Sequence, residues 1–376
     1  MQKVKRILIA PDKFKESLSG AEICSFLKTE ILSVMPDALI ESCPLADGGD
    51  GSIEILSNYL EIKERICNTV DPLGRSITAS YFMSEDTAYI ELASASGIVL
   101  LEKSDRNPMH TSTFGTGLLI KDAIELGLKN IYLFLGGSST NDGGMGIAKA
   151  LGYAFYDKNR IQLSPNGGSL ASIAKIVAPS EDLYIEKFII CCDVNNPPFG
   201  PRGAANVYGK QKGANQQEII HLDQGIKNLC YQIKSSNGVV LSTLEGGGAA
   251  GGTAICLSGF FGAQIISGMD FIAEATDLES KIESCDIVIS GEGRLDTQSF
   301  NGKVISGVAD ICKKYGKKLW LVVGKNDLSI EEVNQLGGER VFSIFERAEN
   351  LEDAIEFSKK YLVEVGREVA ELVKIL

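Results

Sequence analysis

The feature that most constrains this chain is a repeated change from a short apolar run to a glycine-rich polar loop and then to a helical pattern. The run VKRILIA at 4–10 is followed by the loop APDKFKESLSG. Ser19, near the end of this loop, and Glu22 form an S-x-x-E capping box before apolar residues at helical spacing. The run ALIESCPLAD at 38–47 precedes the same kind of change. Strands that alternate with helices in this way predict a largely parallel α/β fold.

A second pattern interrupts the first. From about residue 61, three β-like runs separated by DPLG at 71–74 and SED at 84–86 predict an antiparallel meander. Parallel-type strands return as CDIVISGEG, KLWLVVG and VFSIFE, and the chain of 376 residues is longer than one core usually supports. We therefore predict a flavodoxin/Rossmann-like parallel-sheet domain of residues 1–60 and 285–376, interrupted by a mixed α/β domain of residues 61–284.

Composition limits the partners and the compartment. The 49 acidic residues exceed the 37 basic ones and give a net charge of −12, which argues against nucleic acid as a partner. The first apolar run is too short for a signal peptide or a membrane span, and the nine cysteines form no CxxC motif. These features predict a soluble cytoplasmic protein that binds no membrane, with a homodimer as a candidate assembly.

The loops that follow the strands carry the polar chemistry, and in an open parallel sheet such loops meet at one edge, where ligands bind. The carboxylates, amides and cations of these loops include Asp12, Lys13, Lys15, Asp47, Asp50, Asn141, Asp142, Asp193, Asn195, Arg202, Glu292, Arg294, Asp296 and Lys303. Phosphoryl transfer needs this combination, because carboxylates hold a metal ion and accept the hydroxyl proton while Lys and Arg bind the phosphates.

Other chemistries match the sequence less well. A GxGxxG pattern at Gly246, Gly248 and Gly251 is compatible with an NAD-dependent hydroxy-acid oxidoreductase, although no convincing ribose-binding strand follows it. The only histidines, His110 and His221, stand in no metal-binding spacing, and serine–histidine hydrolysis is disfavoured with them. P-loop and protein-kinase motifs are missing from the sequence. A non-catalytic sugar-acid sensor with the same loops is a further alternative function.

Seven segments resemble, in order and across nearly the whole chain, the motif series of the bacterial type I glycerate kinases. They are APDKFKESLSG, PLADGGDGS, STFGTGLLIKDAI, GGSSTNDGGMGIAKALG, CDVNNPPFGPRGAANVYGKQKGA, GGGAAGG and SGEGRLDTQSFNGKVISGVA. The resemblance implies magnesium-assisted transfer of phosphate from ATP to D-glycerate, giving 2-phosphoglycerate, and two α/β domains of which one interrupts the other. Phosphorylation of the other hydroxyl, or of another small hydroxy acid, is the alternative within this class.

Three residues are expected to be catalytic. Asp193 is the predicted general base, because it follows the apolar strand FIICCDV, where a carboxylate is held in place and its basicity is raised. Lys15, with Lys13 as a second cation, is expected to bind the nucleotide phosphates between a strand and a capped helix. Asp296 is expected to act beside Arg294, which supplies a cation for the carboxylate of glycerate.

The remaining predicted contacts come from short loops. Asn141 and Asp142 are expected to hydrogen-bond the substrate in an interdomain cleft, next to glycines that let the backbone approach it. Asp47 and Glu292 are predicted magnesium ligands, and Asp47 is also a predicted substrate contact. Backbone contacts to the nucleotide are expected at Gly248, Gly251, Gly291 and Gly293.

Overall fold

The computed structural model describes residues 4–14, 17–49, 51–181, 183–300 and 303–375. The chain divides into two compact units, which we call the first unit (residues 1–47 and 267–376) and the second unit (residues 48–266). The domain limits predicted after residues 60 and 284 stay a prediction.

Both units contain β-strands. In chain order they are β1 (Arg6–Pro11), β2 (Leu39–Ser42), β3 (Lys63–Val70), β4 (Ser76–Met83), β5 (Thr87–Glu91), β6 (Asn130–Phe134), β7 (Ala154–Tyr156), β8 (Lys175–Val177), β9 (Lys187–Cys191), β10 (Gln264–Ile266), β11 (Ile287–Gly291), β12 (Arg294–Leu295), β13 (Lys318–Val323), β14 (Lys325–Asn326) and β15 (Arg340–Ser343).

Helices alternate with most of these strands. In chain order they are α1 (Gly20–Val34), α2 (Ser52–Leu56), α3 (Ala93–Ser96), α4 (Phe114–Glu125), α5 (Met145–Ala150), α6 (Ala204–Tyr208), α7 (Gln216–Asn237), α8 (Ala254–Phe261), α9 (Gly268–Ala275), α10 (Leu278–Ser284), α11 (Val304–Tyr315), α12 (Ile330–Leu336), α13 (Leu351–Glu356) and α14 (Ser358–Lys374).

The first unit contains a parallel sheet in the order β15-β13-β11-β1-β2. When only the five strands of this sheet are numbered, that order is the flavodoxin-like 2-1-3-4-5, in which the connection reverses direction between β1 and β11. The central strands are buried along almost their whole length, as expected for a parallel sheet covered on both faces. Helices α1 and α14 contribute Leu27 and Val365 to the same core cluster as Ile9 and Ile289.

Local signals in the sequence form as predicted. At the start of α1, Ser19 Oγ accepts from the Glu22 N–H at 3.2 Å, and the Ser19 N–H donates to Glu22 Oε2 at 3.0 Å. In the turn after β3, Asp71 Oδ1 accepts from the N–H groups of Leu73 and Arg75, both at 2.9 Å. Short-range hydrogen bonds therefore account for both signals without help from the rest of the chain.

The second unit contains a mixed sheet in the order β10-β9-β6-β5-β4-β3. Strands β3, β4 and β5 form the predicted antiparallel meander, whereas β5, β6, β9 and β10 pair in parallel. One hydrophobic core includes Ile131 and Ile190 of the central strands, and a second includes Ile226 and Leu229 of α7. The predicted fold class, a parallel-sheet α/β part interrupted by a mixed α/β part, is confirmed.

Burial and helix length agree with the composition. Eight of the nine cysteine side chains are buried, and Cys67 is half-buried. Where the structure describes the chain, it contains no helix with the length and apolar character needed to cross a membrane.

Candidate functional sites

Three carboxylates follow strands at one edge of the first unit's sheet. Strands β1 and β11 end side by side, and the next residues are Asp12 and Glu292. The chain after β2 continues along the same edge, where the Leu45 N–H donates to Pro11 O at 2.8 Å, and it reaches Asp47 two residues later. This edge includes the topological switch point between β1 and β11, the usual position of a ligand in an open α/β sheet.

Burial and neighbouring negative charges raise the pKa of two of these carboxyl groups, Asp12 and Glu292. Burial and, after it, the negative charges of Asp47 and Glu292 together raise the pKa of Asp12 to about 7. Burial also raises the pKa of Glu292, as do the charges of Asp296 and Asp47, while a hydrogen bond from Ser299 opposes the shift. A bound cation would relieve this repulsion.

The donor set at this edge suits a hard divalent cation. Asp47 and Glu292 are the predicted magnesium ligands, and Asp12 is a third carboxylate that our sequence analysis did not assign to the metal, although it directly follows β1. Among the described residues, no three His, Cys, Asp or Glu side chains are placed to hold a metal ion. Mg²⁺ often needs only one or two protein carboxylates beside water and phosphate oxygens, and this donor set fits that mode.

The predicted phosphate-binding lysines lie next to these carboxylates in sequence. The Lys13 N–H donates to Asp12 Oδ1 at 2.7 Å, which fixes the backbone after β1. Lys15 lies outside the described residues, as does Asp50. The predicted contacts of both lysines with phosphate stay predictions.

Packing accounts for the glycines at this edge. A Cβ built on Gly291 would stand 1.8 Å from Val322 O of the neighbouring strand, so a side chain does not fit. A Cβ built on Gly324 would stand 2.3 Å from Gly293 O, which shows how closely these two loops approach. The predicted nucleotide contacts of Gly291 and Gly293 stay predictions beside this packing role.

Arg294 has a partner that the sequence analysis missed. Arg294 Nε lies 2.6 Å from Asp327 Oδ2 but 3.8 Å from Asp296 Oδ2, and Lys325 Nζ lies 2.9 Å from Asp327 Oδ1. Strands β12 and β14 pair in parallel and so bring these distant residues together. Asp296 mainly shapes its own turn, since its Oδ1 accepts from the Gln298 N–H at 2.8 Å. Because 64% of the Arg294 side chain is exposed, its pairing with Asp327 is weak and a substrate carboxylate can compete for it.

In the second unit, Asp142 anchors the loop after β6. Its side chain is fully buried, and Oδ2 accepts from the N–H and the hydroxyl of Thr113, both at 2.8 Å, and from the Gly146 N–H at 3.1 Å. Oδ1 accepts from the Gly144 N–H at 3.2 Å. Burial raises the pKa of Asp142, and these donors oppose the shift. Four internal hydrogen bonds favour an anchoring role over the predicted contact with substrate.

The neighbouring Asn141, unlike Asp142, makes no side-chain hydrogen bonds. Its side chain is completely buried, yet neither Oδ1 nor Nδ2 has a hydrogen-bond partner, and Thr140 Oγ1 is also without one. An unsatisfied buried polar group costs about 1–3 kcal/mol, so such groups usually have a purpose. The predicted role of Asn141 in binding substrate would supply the missing partner.

Lys212 lies beside Thr140 and Asn141, and no motif in the sequence marks it as a site residue. Its side chain is only 4% exposed, and Nζ donates to Ser138 Oγ and to Thr140 O, both at 2.7 Å. Burial lowers the pKa of Lys212 to about 7, while the charge of Asp142 opposes the shift. The sequence VYGKQKGA does not distinguish Lys212 from the exposed Lys210, because only tertiary packing buries one of them.

Asp193, the predicted general base, follows β9 by two residues. Strand β9 pairs with β6, and Leu135 N donates to Cys191 O at 3.2 Å, so the loops of Asp193 and Asn141 leave the same edge of the sheet. The Asp193 side chain is half-buried. Burial raises the pKa of the Cys191 thiol, and the charge of Asp193 raises it further.

The glycine-rich segment before α8 packs against this region. Gly251 has φ +70°, and a Cβ built on it would stand 2.0 Å from Thr140 O. A Cβ built on Gly248 would stand 2.5 Å from Pro197 O. Close backbone packing accounts for both glycines, and their predicted contacts with the nucleotide stay predictions.

Gly251→Ala is expected to destabilise the protein by more than about 2 kcal/mol, because it adds a backbone clash to a left-handed conformation. The matched control is Gly238→Ala, since Gly238 has φ +81° but an added Cβ would meet nothing within 4 Å. This control is expected to lose about 1 kcal/mol. Denaturant unfolding measures both, and equal losses would contradict the packing role of Gly251.

Lys212→Met is expected to reduce the pH dependence of stability above neutrality. The pKa of Lys212 is about 7 in the folded protein and 10.5 ordinarily, so the unfolded chain binds the extra proton between these values. The free energy of unfolding of the parent protein therefore gains a contribution that rises with pH across this window. Denaturant unfolding at about pH 6, 7.5 and 9 should show a smaller rise in Lys212→Met. Equal pH profiles in the two proteins would show that Lys212 titrates normally.

Together these observations define an α/β protein with a carboxylate-rich edge in one unit and a buried lysine beside unpaired polar groups in the other. Carboxylates suited to a divalent cation, together with cations suited to anionic groups, are the components of a phosphotransferase.

Known proteins place the chain more closely. A family model described as the glycerate kinase family matches residues 7–374. The glycerate 2-kinase of Escherichia coli (strain K12) is 38% identical over 374 residues, and the glycerate kinase of Bacillus subtilis (strain 168) is 38% identical over 376, each match covering 98% of both chains. A crystal structure of a candidate glycerate kinase 2 from Salmonella typhimurium LT2 has a TM-score of 0.81 and 35% identity over 99% of both chains.

The chain belongs to the glycerate kinase family, and it is thus an enzyme of the phosphotransferase class. The family resemblance and the kinase class predicted from the sequence are confirmed.

Proposed function

We propose that this enzyme transfers the γ-phosphoryl group of ATP to the 2-hydroxyl of D-glycerate with the help of Mg²⁺. The observation that carries the proposal is the group of carboxylates at the switch point of the first unit's sheet, because phosphoryl transfer needs such a group next to cations. The E. coli relative, named glycerate 2-kinase, supports the choice of substrate and hydroxyl.

In this proposal the first unit provides the metal ligands and the phosphate-binding lysines. Asp47 and Glu292 would hold Mg²⁺ together with phosphate oxygens, and Lys13 and Lys15 would bind the phosphates as ammonium groups. When bound, the ion neutralises charge on the phosphates. Gly248, Gly251, Gly291 and Gly293 remain proposed backbone contacts to the nucleotide.

Side chains accept the proton and orient the acceptor substrate. Asp193 takes the proton from the attacking hydroxyl as the new O–P bond forms and the bond from the γ-phosphorus to the leaving oxygen of ADP breaks. Asn141 orients the acceptor, while Arg294 and Asp296 remain proposed contacts with its carboxylate and hydroxyl groups. Asp142 acts on the acceptor through the loop that it anchors.

The test is ADP release by the purified enzyme with ATP, Mg²⁺ and D-glycerate, with the phosphorylated position read by phosphorus NMR. Glycolate and 3-hydroxypropionate are informative companions, because each offers only one of the two hydroxyl positions of glycerate. We expect 2-phosphoglycerate, turnover of glycolate and little turnover of 3-hydroxypropionate. Formation of 3-phosphoglycerate would support the kinase assignment but show that the 3-hydroxyl is the acceptor. No glycerate-dependent ADP would reject glycerate as the substrate.

A cytoplasmic location and a homodimeric assembly are proposed on the sequence alone. Size-exclusion chromatography with light scattering tests the assembly, and a monomer at all concentrations would reject it.

A further inference from the structure

The second unit contains a buried cation without a buried counter-charge in contact. Lys212 Nζ donates to two neutral oxygens, Ser138 Oγ and Thr140 O, and to no carboxylate among the described residues. An ammonium group has three N–H donors, so one donor is left over. Burying a charge in this way is costly unless an anion supplies the missing partner.

The unpaired groups lie directly beside this cation. Thr140 O, which accepts from Lys212, belongs to the peptide bond that joins Thr140 to Asn141. The Asn141 amide and the Thr140 hydroxyl are both buried without partners. An amide with both ends unpaired matches a ligand that presents an acceptor and a donor together, as a short hydroxy acid does.

We propose that Lys212, Asn141 and Thr140 bind the carboxylate and one hydroxyl of a short hydroxy acid. Lys212 contacts the carboxylate, Asn141 Nδ2 donates to a ligand oxygen, and Asn141 Oδ1 accepts from the ligand hydroxyl. The proposal rests on the proposed function, because it names the residues that hold the acceptor of that reaction.

The surrounding backbone keeps these side chains in place. Asp142 anchors one side of the loop through Thr113, Gly144 and Gly146. Gly251 packs against Thr140 O and the Asn141 Cα, and its own carbonyl accepts from the Gly143 N–H at 3.0 Å. A site held by backbone contacts of this kind is preorganised, so binding need not order the loop.

The first experiment compares Lys212→Met with Lys210→Met, a matched control on the same short turn whose side chain is exposed. Lys212→Met is expected to raise the KM for D-glycerate about 10- to 100-fold, the scale of a lost charged hydrogen bond, and to leave the KM for ATP unchanged. Lys210→Met should match the parent enzyme. Equal KM values for glycerate in the two variants would overturn the proposal while leaving the proposed function intact.

The second experiment separates binding from folding. Asn141→Leu and Thr140→Val remove groups that have no partner in the protein, so a ligand-binding role predicts unchanged or higher thermal stability and a higher KM for glycerate. A structural role, for example through a bound water, predicts lower stability with an unchanged KM. Lower stability and an unchanged KM in both variants would overturn the proposal.

Direct binding keeps the proposal testable if the enzyme does not turn over glycerate. Calorimetry without ATP would use D-glycerate and glycolate as probes, with glycerol and propionate as controls that lack the carboxylate or the hydroxyl. Binding of the hydroxy acids by the parent protein, lost in Lys212→Met, would support the proposal even if the proposed kinase reaction failed. Absence of such binding in an inactive protein would overturn both.

Discussion

Asp193→Asn is expected to lower turnover at least about 100-fold while the protein folds normally, because asparagine has the same size but cannot accept the hydroxyl proton. Asp193 is half-buried just beyond β9, at the edge where the loop of Asn141 also begins. The loss should fall on kcat rather than on the KM for glycerate or ATP, since the proton moves only during the chemical step.

Glu186→Gln is the matched control for this variant. Glu186 is an exposed carboxylate directly before the same strand, at the end opposite Asp193. Its replacement should leave kcat within about twofold of the parent value, since distant surface charges contribute little. Near-normal turnover in Asp193→Asn would remove Asp193 from the mechanism, and a parallel loss in both variants would indicate a general effect of charge.

Asp142→Ala is expected to lower the free energy of unfolding by at least about 3 kcal/mol, because it leaves three buried N–H groups and a hydroxyl without their acceptor. The three N–H donors are those of Thr113, Gly144 and Gly146, and the hydroxyl is that of Thr113. Urea unfolding of the purified variant, followed by circular dichroism and by fluorescence, measures the loss.

Asp157→Ala controls for the loss of a loop aspartate. Asp157 Oδ1 accepts from the N–H groups of Asn159 and Ile161, both at 2.8 Å, in a solvent-exposed turn. Water can replace that acceptor, so a loss of no more than about 1 kcal/mol is expected. If Asp142→Ala instead kept its stability and raised the KM for glycerate, the direct substrate contact predicted from the sequence would be correct.

Asp12, Asp47 and Glu292, the carboxylates at the edge of the first unit's sheet, show how much of the chemistry of these loops can be predicted from sequence. Glu292 and Asp47 could be selected from the sequence because each follows an apolar run with glycines beside it. The rise that they cause in the pKa of Asp12 could not be predicted, because it depends on the order in which β1, β2 and β11 lie in the sheet. Strand order is set by long-range packing, which leaves no periodic signal in any one segment.

Arg294 and Lys212 show that contact partners and burial of charged side chains cannot be predicted from local sequence. The sequence suggested that Arg294 acts with Asp296, its near neighbour, but the shorter contact is with Asp327 on a paired strand. Lys210 and Lys212 look alike in sequence, and the fold exposes one and buries the other. Burial of a charged side chain depends on what packs over it, so a local pattern cannot identify it.

The sequence by itself determined the α/β class, the antiparallel meander, the capping box of α1 and the family. Hydrophobic period, turn chemistry and capping are interactions between residues close in the chain, and motif order is a property of the chain itself. Only the tertiary structure decided that Asp142 accepts four internal hydrogen bonds, that Asn141 and Thr140 are buried without partners, and that Lys212 lies beside them. Burial and hydrogen-bond partners of a side chain depend on groups far apart in sequence, so they are determined only when the chain has packed.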